Sequence, residues 1–231
     1  MTERPDLVAH DRWWRIGLAT VGVLFRISHR LRVRGVERIP EAGPAILAAN
    51  HMSPLDPIAI CLAAARRGRT VRYLTAIEAF SIPVIGWGLR KFRQIPIRRG
   101  TGDRTAIADA ARVISNGALA GIFPEGRIGS GDGLLPARTG MARLAIAAGA
   151  PVVPIGVWGM QRRWPVTGLT ARLPLRPVAT VVIGEPIPVQ GDPDDAEVVR
   201  DLTDRTMAAI TVLVGRARAL AGDRPSQGEP S

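Results

Sequence analysis

Short runs rich in apolar and β-branched residues alternate along the chain with segments whose apolar residues recur every three or four positions. The short runs, bounded by polar or turn-forming residues, predict strands over residues 45–49, 71–76, 94–98, 119–123, 152–158 and 179–183. Helical spacing predicts helices over 57–67, 105–116 and 140–148, and a long one over 194–220 with Val198, Leu202, Ala209 and Leu213 on one face. Asp192 to Asp195 load the start of the long helix with acid, and Arg216 and Arg218 lie near its end, in the sense the helix dipole favours. Strands alternating with helices of about ten residues predict an α/β layer fold. The segment 159–177, rich in Arg, Trp and Pro, reads as a loop near the site or a membrane.

Three regions follow. Residues 1–32 form an N-terminal amphipathic, membrane-associating segment. Its uncharged run, Ile16 to Phe25, is about ten residues, against about twenty needed to span a bilayer. No small-residue cleavage site follows, so a signal peptide is not expected. Trp13 and Trp14 stand beside Arg12 and Arg15, with Arg26, Arg30, Arg32 and Arg34 at the far end. Indoles and arginines so placed suit a helix in the headgroup region, although the same apolar stripe would also pack on the domain. Residues 33–220 form the main domain, and 221–231 a polar tail expected to be disordered.

Composition narrows the chemistry. The 46% hydrophobic and 22% charged content is that of a globular chain. Cys61 is alone, which excludes an internal disulfide, and the three histidines show no metal-ligand spacing. With 31 basic and 20 acidic residues the formal charge is +11, which suits nucleic acid, an anionic membrane or phosphorylated ligands. Aromatics are only 4%, with no stacking platform, so lipid and phosphate are favoured over nucleic acid.

The candidate chemistry begins where residues 45–49 run into Asn50-His51-Met52-Ser53-Pro54-Leu55-Asp56. A buried strand that stops there presents an imidazole and a carboxylate in one bend. Neutral imidazole is a base near neutral pH, and a carboxylate on its second nitrogen fixes the tautomer and stabilises the imidazolium. No serine or cysteine nucleophile is paired with His51, so the base acts directly on a substrate hydroxyl. Further on come Arg93-Gln94-Ile95-Pro96-Ile97-Arg98-Arg99, then Phe123-Pro124-Glu125-Gly126-Arg127-Ile128, then Val152-Val153-Pro154-Ile155. Loops converging beyond buried strands are how an α/β site is built.

In this order the four blocks resemble the glycerolipid acyltransferase superfamily, typified by 1-acyl-glycerol-3-phosphate acyltransferase, and the likeness runs from about Val33 to Pro188. The segment from Leu135 to Ala145 also resembles the family's sequence after the Glu-Gly block. The resemblance implies a mixed central sheet flanked by helices, with His51 as general base and Asp56 as its orienting partner. It implies transfer of a fatty acyl group from acyl-CoA or acyl carrier protein to a lysophospholipid hydroxyl, 1-acylglycerol 3-phosphate foremost, at the cytoplasmic face of the cell membrane. No metal or bound cofactor is called for. Arg99 matches the arginine closing the family pattern Gly-x-Ile-Phe-Ile-Asp-Arg and is expected to bind the acceptor, with Arg98 as a helper. Arg93 stands in place of the Gly and Arg98 in place of the acid.

In the family's Phe-Pro-Glu-Gly-Thr-Arg-Ser, Glu125 and Gly126 match. Glu125 is expected to bind the acceptor's glycerol hydroxyl or lock an arginine, and Gly126 to let the backbone approach a ligand. Arg127 occupies the Thr position and Ile128 the Arg position. Either the loop slips so that Arg127 still reaches the phosphate, or the phosphate is held differently. Asn50 is a lesser candidate, for loop support or for the oxyanion. The Val-Val-Pro-Ile block is expected to wall an acyl channel or simply to be a buried strand. Other readings are transfer to a different acceptor (glycerol 3-phosphate, another lysolipid, a glycolipid), thioester hydrolysis, or a catalytically silent lipid-binding protein.

Overall fold

The computed structural model describes residues 11–97, 104–129, 133–165 and 176–223. Arg98, Arg99 and the tail from residue 224 onward lie outside the described residues. Seven strands, β1 (Arg30–Arg34), β2 (Ala45–Ala49), β3 (Val71–Ala76), β4 (Ile95–Ile97), β5 (Leu119–Ile122), β6 (Val152–Trp158) and β7 (Val178–Ile183), form one sheet in the order β1-β7-β6-β2-β5-β3-β4. β6, β2, β5, β3 and β4 are mutually parallel, β7 is antiparallel to β6, and β1 is parallel to β7. The expected mixed α/β sheet is therefore present, and its parallel strands all end at the same edge.

The helices are α1 (Arg12–Ser28), α2 (Asp56–Ala64), α3 (Pro83–Lys91), α4 (Arg104–Ser115), α5 (Gly140–Ala148) and α6 (Ala196–Leu220). Every residue of β2 is buried. Ala45, Leu47 and Ala49 share a core with Ala59, Ile60 and Ala63 of α2 and Phe25 of α1. Ile46 and Ala48 share the opposite core with Ala110 and Ile114 of α4, Leu144 of α5 and Ile210 of α6. A strand covered on both faces has no polar side to show, which is why β2 reads as an unbroken apolar run.

Three features depart from the expectation, and a fourth concerns the backbone at Arg93. The boundary expected after residue 32 falls inside β1, whose Arg30 to Arg34 pair with Val178 to Val182, so the domain's sheet begins at Arg30. α3 was not predicted: Gly86 and Gly88 lower its helix propensity, while Pro83 is well placed in its first turn. On α6 the core is reached by Val199, Leu202, Ile210 and Leu213, whereas Val198 and Ala209 are only half-buried. Arg93 adopts φ +52°, a left-handed conformation that costs a residue with a Cβ about 1–2 kcal/mol.

The N-terminal helix is present over 17 residues, and Asp11 caps it by accepting from the Trp13 N–H at 2.9 Å. Trp14 and Phe25 are buried against the domain, while Ile16, Val23, Leu24 and Ile27 are exposed. Among the described residues, no helix is long and apolar enough to cross a membrane.

Candidate active site

Asn50 continues β2 with its side chain. Its Nδ2 donates to the Val157 carbonyl at 3.1 Å and its Oδ1 accepts from the Val157 N–H at 2.8 Å, so the amide replaces a peptide in the β2–β6 ladder. Buried and used on both sides, Asn50 supports the loop rather than an oxyanion.

His51 comes next and is fixed through its backbone. Its N–H donates to Glu125 Oε1 at 2.8 Å, and its carbonyl accepts from the Gly129 N–H at 2.7 Å. Glu125 Oε2 accepts from the Leu135 N–H at 2.7 Å, so one buried carboxylate ties the turn after β5 to two other loops. Ser53 Oγ donates to the Trp164 carbonyl at 2.6 Å and secures the described start of the 159–177 segment.

His51 Nδ1 lies 3.1 Å from Asp56 Oδ2, and the same oxygen accepts from the Met52 and Ser53 N–H groups at 2.6 and 2.7 Å. Asp56 begins α2, where the helix dipole favours its negative charge. It is fully buried, and Oδ1 has no hydrogen-bond partner among the described residues. Burial pushes the Asp56 carboxyl above the usual carboxylate range, and the His51 ring with the two amides pulls against that rise. A carboxylate made more basic holds Nδ1–H more firmly, leaving Nε2 as the free ring nitrogen.

The imidazole plane is set by stacking. His51 lies on Phe123 with centroids 3.9 Å apart and planes 14° from parallel, and Phe123 lies over Tyr73 at 5.7 Å and 4°. Tyr73 fits there because Gly121 on the neighbouring β5 has no Cβ; one would stand 2.3 Å from the ring. The Tyr73 hydroxyl donates to the Pro57 carbonyl at 2.9 Å, and burial holds its pKa well above the ordinary phenol value.

His51 lines a cavity of about 940 Å³, at the upper end of the range for ligand sites. Trp14, Leu18 and Val21 of α1, Ile58 and Cys61 of α2, Leu89 of α3 and Phe92 just after it give it apolar walls; Gly126, Arg127 and Arg138 also line it. Burial pushes the Cys61 thiol up to about 12, so it stays protonated and behaves as part of that wall. Val152, Val153 and Ile155 are buried in the sheet and do not line the cavity, which settles that block as a core strand. Among the described residues no cluster of His, Cys, Asp and Glu is arranged to hold a metal ion.

Of the residues singled out in the sequence, His51 and Asp56 are joined directly, and Gly126 and Arg127 share the cavity that His51 lines. Glu125 acts on the backbone of His51 and Leu135. Arg99 lies outside the described residues. The Phe123–Tyr73 stack and Arg138 were missed. Phe123 stands two residues before Glu125, which was a usable signal. Arg138 is one of many arginines, and only the fold brings it to the cavity.

The family described as "Acyltransferase" matches residues 30–158. An uncharacterized protein of Mycobacterium tuberculosis (strain H37Rv) is 31% identical over 87% of this chain, and the chain spans 64% of that relative's length. A protein of Pseudomonas aeruginosa named 1-acyl-sn-glycerol-3-phosphate acyltransferase is 29% identical over 96% of this chain and 82% of its own. The crystal structure of the 1-acyl-sn-glycerophosphate acyltransferase PlsC from Thermotoga maritima superposes with a TM-score of 0.70 at 22% identity, covering 92% of this chain and 83% of that one, and so shares the fold. With the family's profile spanning the sheet from β1 to β6 and His51 and Asp56 joined at its edge, the chain belongs to the acyltransferase family.

Proposed function

We propose that this chain is a membrane-associated O-acyltransferase. It moves a fatty acyl group from the thioester of acyl-CoA or acyl carrier protein to a hydroxyl of a lysophospholipid, 1-acylglycerol 3-phosphate, giving phosphatidate. The observation that carries the reading is a backbone-pinned imidazole, oriented by a buried carboxylate, at an apolar cavity of about 940 Å³. The names of the Pseudomonas and Thermotoga relatives support the choice of acceptor.

Nε2 takes the acceptor's hydroxyl proton as its oxygen attacks the thioester carbonyl. The tetrahedral oxyanion collapses, the C–S bond breaks, and the imidazolium returns its proton to the leaving thiolate. Asp56 stabilises the imidazolium between these steps, and the apolar walls hold the acyl chain so that the reactants stay together. Neither a metal nor a bound cofactor takes part in this scheme. The exposed apolar residues of α1 and the charge of +11 support contact with an anionic, cytoplasmic membrane face.

Transfer from labelled oleoyl-CoA to a panel of lysolipids and glycerol 3-phosphate tests the proposal. Labelled phosphatidate from the native protein, reduced by about two to four powers of ten in His51→Ala, is the expected result. Free oleate without any acylated acceptor would instead make the chain a thioesterase. An intact thioester, with oleoyl-CoA and with oleoyl acyl carrier protein offered in its place, would leave a lipid-binding protein.

A further inference from the structure

Besides the loop after β5, the His51–Asp56 bend rests on the end of β6 and the turn beyond it. Asn50 pairs with Val157 through both amide atoms, and Ser53 Oγ donates to the Trp164 carbonyl at 2.6 Å. Met52 packs against the cluster formed by Trp158, Leu213 and Ala217. Ser53 is fully buried, and its N–H donates to Asp56 Oδ2, the oxygen that faces His51 Nδ1. A shift of Trp164 therefore reaches the catalytic carboxylate through a single residue.

β6 ends at Trp158, and the chain beyond it has left the sheet. The Gly159 N–H donates to Gln161 Oε1 at 2.8 Å, and the Trp164 N–H donates to the Met160 carbonyl at 3.1 Å, which closes a compact turn. One carboxylate fastens this turn from outside. Asp223, just beyond α6, accepts from the Trp158 indole Nε1–H through Oδ2 at 2.6 Å, and its Oδ1 pairs with the Arg162 guanidinium. The buried Trp158 ring also carries the Arg218 guanidinium over its face at 4.9 Å. Charge-assisted contacts of this kind are short and directional, so they hold one geometry. A reaction that depends on aligned groups is sensitive to that geometry, and a misplacement of about 1 Å can cost about 100-fold.

We infer that Asp223 is a positioning residue for acyl transfer: it clamps the Trp158–Trp164 turn, and through the Trp164 carbonyl and Ser53 that turn holds Asp56 against His51. The inference rests on the proposed reaction. Asp223 touches no substrate in this scheme, so its loss acts on kcat.

The test is a double-mutant cycle of Asp223→Ala and Ser53→Ala, with kcat and KM measured for oleoyl-CoA and 1-acylglycerol 3-phosphate below the unfolding midpoint of every variant. Asp223→Ala is expected to lower kcat about tenfold with both KM values unchanged, and to lower it less than about twofold once Ser53 is already alanine. Trp158→Phe, which removes the indole N–H and keeps a ring, opens the clamp a second way and should show the same dependence on Ser53. Asp223→Asn keeps an oxygen for the indole but loses the charge facing Arg162, and should recover part of kcat. Asp204→Ala, which removes an exposed acid of α6, should lose nothing.

Equal losses in the two Ser53 backgrounds would overturn the route through Ser53 and leave Asp223 a contributor to stability alone. A raised KM with kcat unchanged would overturn the positioning role. The proton NMR signal of His51 Nδ1–H, assigned by its absence from His51→Ala, reads the same hydrogen bond without turnover. It should move in Asp223→Ala and stay in place in Asp204→Ala. If the native chain transfers no acyl group and the signal still moves, the proposed reaction falls and the clamp stands. An unmoved signal in an active enzyme would sink the clamp alone.

Discussion

At the scale of single residues, the site is built by fixing one backbone unit on both sides. Glu125 takes the His51 N–H, Gly129 gives its N–H to the His51 carbonyl, and Phe123 takes the ring face. Asp56 then needs only to set the tautomer and carry the imidazolium. Asp56→Asn keeps an oxygen for the Met52 and Ser53 amides but loses the charge, so kcat should fall by about two to four powers of ten with KM little changed. Equal kcat values would remove Asp56 from the chemistry. Asn50→Ala strips both partners from a buried Val157 peptide and should cost about 2–4 kcal/mol in urea unfolding. The His51–Asp56 pair was legible because its members lie within one bend. The Glu125–His51 and Asn50–Val157 contacts join residues 74 and 107 positions apart, a separation that local spacing does not encode.

At the scale of elements, the end of α1 carries a titration. His29 is the helix's C-cap and is 1% exposed; its ring stacks on Phe25 at 4.7 Å, and its buried Nε2 has no hydrogen-bond partner among the described residues. Burial, then the charge of Arg163, lowers its pKa from 6.5 to about 4. The unfolded chain therefore takes up this proton first as pH falls. The His29 contribution is fully present above pH 6.5, is lost between 6.5 and about 4, and is on the order of 2 kcal/mol. Asp56, with its raised pKa, acts in the opposite sense, so the native chain must be compared with His29→Phe at each pH. The variant's urea midpoint should lack the His29 part of the acid-side fall; a parallel fall in both proteins would show that His29 does not titrate this way. The same scale shows what patterning could reach. β2 and β6 lie where their apolar runs predicted, because burial on both faces leaves a strong mark, and β3, only partly buried, also keeps its predicted bounds. β1 was hidden because Arg30, Arg32 and Arg34 at a sheet edge look like the basic end of a helix. α3 was hidden because its stability comes from packing against α1, through Trp13–Trp87 and, at its C-cap, Trp14–Phe92, and not from propensity.

At the scale of the whole molecule, the apolar surface and the cavity share walls. α1 exposes Ile16, Leu24 and Ile27, and the α3 region exposes Ile82, Val84, Ile85 and Trp87, with Val84 81% exposed. Trp13 and Trp87 meet edge to face at 5.6 Å, and the Lys91 ammonium sits over both rings at 5.3 and 6.0 Å. The same two helices contribute Leu18, Val21 and Leu89 to the cavity, and Phe92 at the C-cap of α3 joins them. A bilayer against this face would let an acyl chain pass from lipid to His51 without crossing water. The net charge of +11 would add attraction to anionic headgroups. Two separable terms follow, one apolar and one screened by salt. The protein should sediment with phosphatidylglycerol-containing vesicles, and binding should weaken from 0.1 to 1 M salt as the Debye length falls from about 10 to about 3 Å. Val84→Asp with Ile85→Asp, on the exposed side of α3, should weaken binding at every salt concentration while leaving the unfolding free energy within about 0.5 kcal/mol. Binding that salt abolishes but these aspartates leave intact would make the attachment purely electrostatic and remove α3 from it.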